Sequence, residues 1–450
     1  MNSTQDVSHI FKAYDIRGKV GTELTEDLVK RVGGSFSNWL TNKAPIVVGR
    51  DMRPDSKQLA DALIQGALEA GRDVVDMGMV TSDMAVFAIK HLSASGAAIV
   101  TASHNPGEYN GIKLFDDTPK TIGLDQGLDA IRNGALSDDL SSIDGTKGTL
   151  IEKNLISEWI DFCLGLIDVN ALTPLHLSID AGNGMAGAVL PELLKRLSFT
   201  VEELYFDPDG TFPNHQANPQ NLETLKDLQA TVSKTKSDLG IAFDGDGDRM
   251  AMVDENGRPV TGSEMMSLLA QKYKQSEAPS FVYEVRTSKT VVDRLIESGF
   301  SGVRSKAGRS NIGEVMREHN SVFGGETTGH FFFRDYWFND SGLLSMLIAL
   351  EQICKSNQPL SSLIADNHAT SPMIAETNFE VSNADAVIEA VAQKYEAFEQ
   401  DTLDGLSVHA DGWWLNLRKS NTEPLIRLNA EAKDQATLDD VVESVTELAR

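Results

Sequence analysis

One feature constrains this chain more than any other: short apolar, β-branched runs alternate with amphipathic helical stretches along most of its length. PIVVG (45–49), GAAIVTA (96–102), LHLSID (175–180), DLGIAF (238–243) and SFVYEV (280–285) have the length and composition of strands. Between such runs, SKQLADALIQGALEAG (56–71) places Leu59, Ala62, Leu63, Gly66, Ala67 and Ala70 on one helical face. SKTVVDRLIESG (288–299) and NADAVIEAVAQKYEAF (383–398) also read as helices. This alternation predicts α/β units built on buried, mostly parallel or mixed sheets.

A coarser repeat is superimposed on it. Three times a strand runs into a small or polar loop and a second strand follows: AAIV-TASHNPGEYNG-IKLF (97–115), GIAF-DGDGD-RMAMV (240–253) and SVFG-GETTG-HFFF (321–333). Each is preceded by its own strand–helix segments, starting near Ile46, Leu177 and Phe281. We expect three related α/β domains, over 1–150, 151–256 and 257–370, each donating one loop to a shared cleft. The stretch 116–150, rich in Asp, Ser, Gly and Thr, reads as a crossing segment towards the second domain. From 371 to 450 the order is strand, helix, strands, helix, which makes a fourth, α+β domain.

With 450 residues the chain has room for several cores. The 41% hydrophobic and 24% charged residues exclude a disordered or collagen-like chain. A formal charge of −26 repels phosphodiester backbones and anionic lipid headgroups, so neither nucleic acid nor membrane is an expected partner. An anionic substrate therefore requires basic groups gathered locally. Cys163 and Cys354 match no redox or zinc spacing, the first residues lack a signal-peptide pattern, and the apolar run at 343–350 is too short to span a bilayer. The expectation is a cytoplasmic protein.

The loops carry the chemistry. In Asp244-Gly-Asp-Gly-Asp-Arg249, three carboxylates at alternate positions follow an apolar strand, and their mutual repulsion calls for a hard cation such as Mg²⁺ or Ca²⁺. An EF-hand is disfavoured, although Glu255 falls at the twelfth position. Its sixth position is Arg249 rather than glycine, and both flanks read as strands. In Thr101-Ala-Ser-His-Asn-Pro106, Ser103 occupies a tight loop after a buried strand, where a nucleophile or an ordinary turn serine would sit. In Arg418-Lys-Ser-Asn-Thr-Glu-Pro-Leu-Ile-Arg427, arginine forks, hydroxyls and turn amides suit a phosphate. The loop Gly324-Gly-Glu-Thr-Thr-Gly-His330 either offers Glu326 and Thr328 to vicinal hydroxyls or is a glycine turn with an incidental glutamate. Arg286, Lys289, Arg304, Lys306 and Arg309 form a further basic cluster or belong in part to solvated helix faces.

TASHNP, DGDGDR, GGETTGH and RKSNTEPLIR, in that order, resemble the four signature loops of the α-D-phosphohexomutases, in the phosphomannomutase/phosphoglucomutase branch. AYDIRG (13–18), NGIK (110–113) and FPNHQANP (212–219) extend the resemblance over nearly the whole chain. It implies a heart-shaped enzyme of four domains around a central cleft, acting on small hexose phosphates. It also implies Mg²⁺ as cofactor and a hexose 1,6-bisphosphate as activator. Ser103 would carry a phosphoryl group. Asp244, Asp246 and Asp248 would hold the metal together with an oxygen of that phosphate. Arg17, His104, Lys113 and Arg249 would surround the reacting group, with Lys113 or His104 assisting proton transfer. Glu326 and Thr328 would grip the sugar 3- and 4-hydroxyls. Arg418, Ser420, Asn421, Thr422 and Arg427 would hold the phosphate that is not reacting, with Lys306, Arg309 and Arg286 as further substrate contacts.

The chain departs from the family pattern in two places. Its sugar loop carries Thr327 and Thr328 where GEMSGH is usual, and Arg309 stands where relatives often have histidine. SNTEP and FFFRDYWFNDSG (331–342) look most like the phosphomannomutases that feed GDP-mannose synthesis. A phosphoglucosamine mutase, a metal-dependent serine phosphatase and a non-catalytic sugar-phosphate sensor are the competing readings. The sensor would have no use for a nucleophile.

Overall fold

Short apolar runs become the buried centres of sheets, and the longer one at 343–350 becomes a buried helix. The computed structural model describes residues 7–137, 146–365, 371–374, 376–419 and 425–450. These group into two compact units, Met1–Val260 with Gly329–Pro359, and Thr261–Thr328 with Leu360–Arg450.

In the first unit, a six-stranded sheet has the order Ile16–Lys19, Tyr109–Asp116, Gly96–Val100, Ile46–Arg50, Val74–Met79, Leu150–Glu152. Gly96–Val100 is wholly buried, as its unbroken apolar run requires of a strand covered on both faces. It runs parallel to Ile46–Arg50 and antiparallel to Tyr109–Asp116. The loop 101–108 therefore leaves the carboxyl end of a central strand and returns beside it. That is where α/β sheets place their sites.

A four-stranded sheet repeats the arrangement in the order Met250–Asp254, Leu239–Phe243, His176–Asp180, Thr200–Leu204. Leu239–Phe243 is again wholly buried, parallel to one neighbour and antiparallel to the strand after its loop. Strands on both sides of 244–249 exclude the EF-hand. The crossing stretch differs from expectation. It contains the helix Leu128–Leu136, whose Leu128, Ile131 and Ala135 pack into the first domain's own core, and the edge strand Leu150–Glu152. Its small and acidic composition hid three apolar residues at helical spacing.

The second unit opens on the helix Gly262–Ala270. Thr261 and Glu264 close its amino end as a capping box. Ser301–Ser305, Ser280–Glu284 and Phe323–Gly325 form parallel strands, and the loop carrying Glu326 follows the last of them. The helix Gly342–Ser356, capped by Ser341, groups instead with the first unit and is buried over most of its length. The carboxyl-terminal domain is an antiparallel sheet in the order Thr377–Glu380, Leu425–Ala432, Trp413–Lys419, Leu406–Ala410, Glu399–Asp401. The helices Ala384–Lys394 and Gln435–Ala449 cover it over a core that includes Val391, Leu415, Leu428 and Val445. Among the described residues no helix is long and apolar enough to cross a membrane.

Candidate active site

Ser103 sits in the first sheet's loop with φ at +50°, in the left-handed region that side chains other than glycine rarely adopt. Its amide donates to Thr101 Oγ1 (2.9 Å), and its hydroxyl donates to Asp244 Oδ2 (2.8 Å). His104 Nδ1 lies 3.2 Å from the same hydroxyl, and Arg249 Nη2 donates to it at 3.3 Å. The two loops that share no sequence thus meet at one oxygen. Gly245 permits the meeting, because a Cβ there would come within 2.4 Å of the Ser103 carbonyl oxygen.

Asp244, Asp246 and Asp248 are fully buried, and their carboxylate oxygens lie within 4.8 Å of one another. Lys113 Nζ donates to Asp246 Oδ2 and Asp248 Oδ2, both at 2.6 Å. Arg249 Nε donates to Asp244 Oδ2 at 2.9 Å, and Ser82 Oγ donates to Asp246. Burial pushes Asp244 up and the two neighbouring carboxylates add to it, against the opposing pull of Arg249. Asp246 goes the other way, because Lys113 outweighs the cost of burial and holds it well below the usual carboxylate range. Asp246 Oδ1 is buried with no hydrogen-bond partner among the described residues. Three hard oxygen ligands and an unmet acceptor fit a divalent cation. Asp248 also lies within ligand distance of His330 and Asp340.

His104 is lowered to about 3, first by burial and then by the charges of Arg249 and Arg17. It is neutral at neutral pH and accepts from Arg249 Nη2 at Nδ1. Arg17, on the neighbouring strand, donates to Asn105 Oδ1 (2.9 Å) and pairs with Asp15 (2.5 Å). His330 pairs with Asp340 (2.5 Å); burial resists its protonation, but that bond and the charges of Asp340 and Asp248 prevail and raise it.

In the second unit, Glu326 is buried, accepts the Gly308 amide (2.5 Å) at Oε1 and accepts Thr328 Oγ1 (2.9 Å) at Oε2. Thr327 Oγ1 donates to Glu284 Oε1 (2.7 Å), and Arg286 Nε donates to the same carboxylate (2.8 Å). Arg418 and Arg427 share one carboxylate. Glu376 accepts Arg427 Nη1 at 2.9 Å and Arg418 Nη2 at 2.6 Å, with Arg286 Nη1 at 3.6 Å and Asn429 Nδ2 at 3.3 Å. Burial opposes ionisation of Glu376, but these arginines hold it down at about 2. The Nε atoms of Arg418 and Arg427 are buried without hydrogen-bond partners among the described residues. Ser420, Asn421 and Thr422 lie outside the described residues.

The basic cluster of the sequence does not form one patch. Arg286 joins the Glu376 group, Lys289 pairs with Asp293 on its own helix, and Arg304 pairs with Asp401 and donates to Ser407 Oγ. Lys306 is exposed, and Arg309 opens the helix Arg309–His319. Sequence reasoning missed Arg53, Glu284 and Glu376, which carry no motif of their own, and gave no role to Asp340, although Asp340 lies within FFFRDYWFNDSG. It also passed over His330, although that residue closes the GGETTGH run.

The chain matches four domain families in succession: phosphoglucomutase/phosphomannomutase alpha/beta/alpha domain I over residues 8–140, domain II over 157–257, domain III over 261–370 and the C-terminal domain over 376–448. It is 38% identical to a phosphomannomutase of Escherichia coli, covering 95% of this chain and 96% of that one. It is 36% identical to a protein of Xanthomonas campestris named phosphohexose mutases, covering 98% and 99%. Among solved structures, a phosphoglucomutase/phosphomannomutase family protein of Burkholderia thailandensis superposes with a TM-score of 0.89 at 30% identity, covering 98% of this chain and 96% of that one.

Proposed function

The chain belongs to the phosphoglucomutase/phosphomannomutase family, isomerases that move a phosphoryl group within a sugar phosphate, and from that membership we propose that it is a phosphomannomutase. It interconverts mannose 6-phosphate and mannose 1-phosphate, with the glucose phosphates as a second substrate pair. The observation that carries this reading is the convergence on Ser103 Oγ of Asp244, Arg249 and His104.

Phosphoryl transfer needs alignment and charge neutralisation more than covalent assistance. Ser103 carries the phosphoryl group. Its P–Oγ bond breaks as a hydroxyl of the hexose phosphate forms the new P–O bond, giving a hexose 1,6-bisphosphate. Ser103 Oγ then takes the other phosphoryl group back. A hexose 1,6-bisphosphate supplied from outside primes Ser103. Asp244, Asp246 and Asp248 would hold Mg²⁺, which supplies positive charge to the transferring oxygens when bound. Arg249 and Arg17 supply fixed positive charge around the phosphoryl group. Lys113 or His104 assists proton transfer: Lys113, held charged between Asp246 and Asp248, can donate to the departing Ser103 oxygen, and His104 lies 3.2 Å from that oxygen. Glu326 and Thr328 bind the sugar 3- and 4-hydroxyls, with Thr327 committed instead to Glu284. Arg418 and Arg427, with Ser420, Asn421 and Thr422, bind the distal phosphate, and Arg286, Lys306 and Arg309 assist. We assign the domains to 1–150, 151–256, 257–370 and 371–450. Two cysteines without a disulfide partner suit a reducing, cytoplasmic setting.

A coupled assay on mannose, glucose and glucosamine 1-phosphates, with catalytic hexose 1,6-bisphosphate, tests the reading. The expected order has mannose first. Preference for glucosamine 1-phosphate makes the chain a phosphoglucosamine mutase, and stoichiometric release of free phosphate makes it a phosphatase.

A further inference from the structure

Arg53 is 3% exposed, carries no motif, and makes no hydrogen bond to Ser103 Oγ; its guanidinium is spent on the backbone of the serine loop. Nη2 donates to the carbonyl oxygens of Ser103 (2.8 Å) and Asn105 (2.6 Å), and Nη1 to those of Pro106 and Tyr109 (both 2.9 Å). Gln216 Nε2 takes the carbonyl in between, that of His104, at 2.5 Å. Five carbonyls over residues 103–109 are thus held by two side chains from outside the loop. The ring of Phe212 lies 5.3 Å from the Arg53 guanidinium carbon, and Asp51 Oδ2 lies 3.2 Å from Nε. Asp51 is itself held by Ser56 Oγ and by the Arg53 amide. The segment FPNHQANP (212–219) supplies both Phe212 and Gln216.

We infer that Arg53, backed by Gln216, is a positioning residue for phosphoryl transfer: it fixes the carbonyl face of the serine loop so that Ser103 keeps its left-handed backbone and its aim at Asp244. The inference rests on Ser103 being the phosphoryl carrier. A backbone at φ +50° for serine persists only where the surroundings over-determine it. A buried guanidinium facing four carbonyl dipoles does so, and a lysine, with one compact ammionium in place of a planar fork, cannot reach the same four. Misplacement of a reacting group by about 1 Å costs on the order of 10²-fold in rate. Arg53 touches no substrate in this reading, so the loss falls on kcat and not on KM.

The full-length enzyme with mannose 1-phosphate and catalytic hexose 1,6-bisphosphate supplies the test. Arg53→Ala is expected to lower kcat by roughly 100-fold with KM changed less than about threefold, and free guanidinium ion at millimolar levels to restore part of the loss. Arg53→Lys is expected to remain impaired. Should Arg53→Ala not fold, Gln216→Leu, which removes one carbonyl contact, is expected to lower kcat by about 3–10-fold at constant KM. A folded Arg53→Ala enzyme with the unaltered kcat, a loss confined to KM, or an unaltered kcat in Gln216→Leu overturns the proposal. Ser103→Ala in the same assay separates the two readings. If it keeps full activity, the serine is not the carrier whatever Arg53 does; if it is dead while Arg53→Ala is unimpaired, only the positioning role fails.

Discussion

The serine and carboxylate region of the first unit and the arginine group of the second are built on opposite plans. Around Ser103 the charges bonded to one another are sealed: the side chains of Asp244, Asp246, Asp248, Lys113 and Arg249 are each at most 10% exposed, with Arg17 at the rim at 20%. Around Glu376 the side chains of Arg418 and Arg427 remain 16% and 32% exposed, and a single carboxylate bridges them. A group that transfers phosphoryl must be shielded from water and needs fixed charges in a low-dielectric setting. A group that takes up and releases a ligand must stay open to it. The comparison teaches that changes in the first region should strike kcat, and changes in the second KM.

Ser103→Ala offers the largest break. Mutase turnover is expected to fall by roughly 10³-fold or more, since no neighbouring group can carry the phosphoryl in its place. Loss of the hydroxyl's bond to buried Asp244 should cost about 1 kcal/mol of stability, measured by denaturant unfolding. A residual rate near the wild type would end the assignment of the sealed region as the reacting centre.

Metal removal comes next. Chelation with EDTA should abolish turnover until Mg²⁺ is returned, and Asp246→Asn should lower kcat by on the order of 10²-fold at saturating Mg²⁺. Titrating activity against Mg²⁺ separates weakened binding from lost chemistry. Undiminished activity in metal-free enzyme would mean that Lys113 alone serves the carboxylates.

In the open region, Arg427→Ala removes a charge-assisted bond worth about 1.5–3 kcal/mol, so kcat/KM should fall by roughly 10–100-fold, mostly through KM. Lysine at 427 should recover little of it. Glu376→Ala is a sharper and smaller test, because it leaves both arginines in place and removes only what holds them together. KM is expected to rise by about 3–10-fold with kcat nearly unchanged. A fall in KM would show instead that Glu376 competes with the phosphate.

The smallest effect concerns Asp83, buried in the first unit and pushed up to about 7 by burial, with Ser341 and Thr81 opposing and the charges of Asp248 and Asp340 adding to it. Its folded value lies above the unfolded one. Its contribution to stability is therefore complete at pH below about 4 and is lost as pH rises through about 7. Asp83→Asn should raise the thermal midpoint by about 2 °C at pH 8 and by less at pH 5. Equal shifts at both pH values would show that titration is not involved.

The motifs made much of the candidate site legible, because phosphate and metal chemistry demand particular side chains close together on a loop. Asp244-Gly-Asp-Gly-Asp needed no fold to mark a group that could hold a cation, and its flanking strands were readable from Leu239–Phe243 and Met250–Asp254. The helix Leu128–Leu136 was missed because its polar, acidic neighbours mask a core face of three residues. Arg53 and Glu376 were missed for a different reason: each acts on partners set by folding, at sequence separations of 50 or more for the serine-loop carbonyls and 42 and 51 for the two arginines.

The sequence by itself determined the α/β alternation, the order of the four loops and the residue types that each brings, since periodicity and local ligand spacing are properties of a few consecutive residues. The tertiary structure decided which of those groups meet. It brought Ser103 to Asp244 across 141 residues, set Lys113 between two carboxylates, lowered His104 to about 3 and gave Arg286, Lys289 and Arg304 separate partners. Burial and the distances between charges fix those properties, and both arise only when strands distant in sequence become neighbours in a sheet.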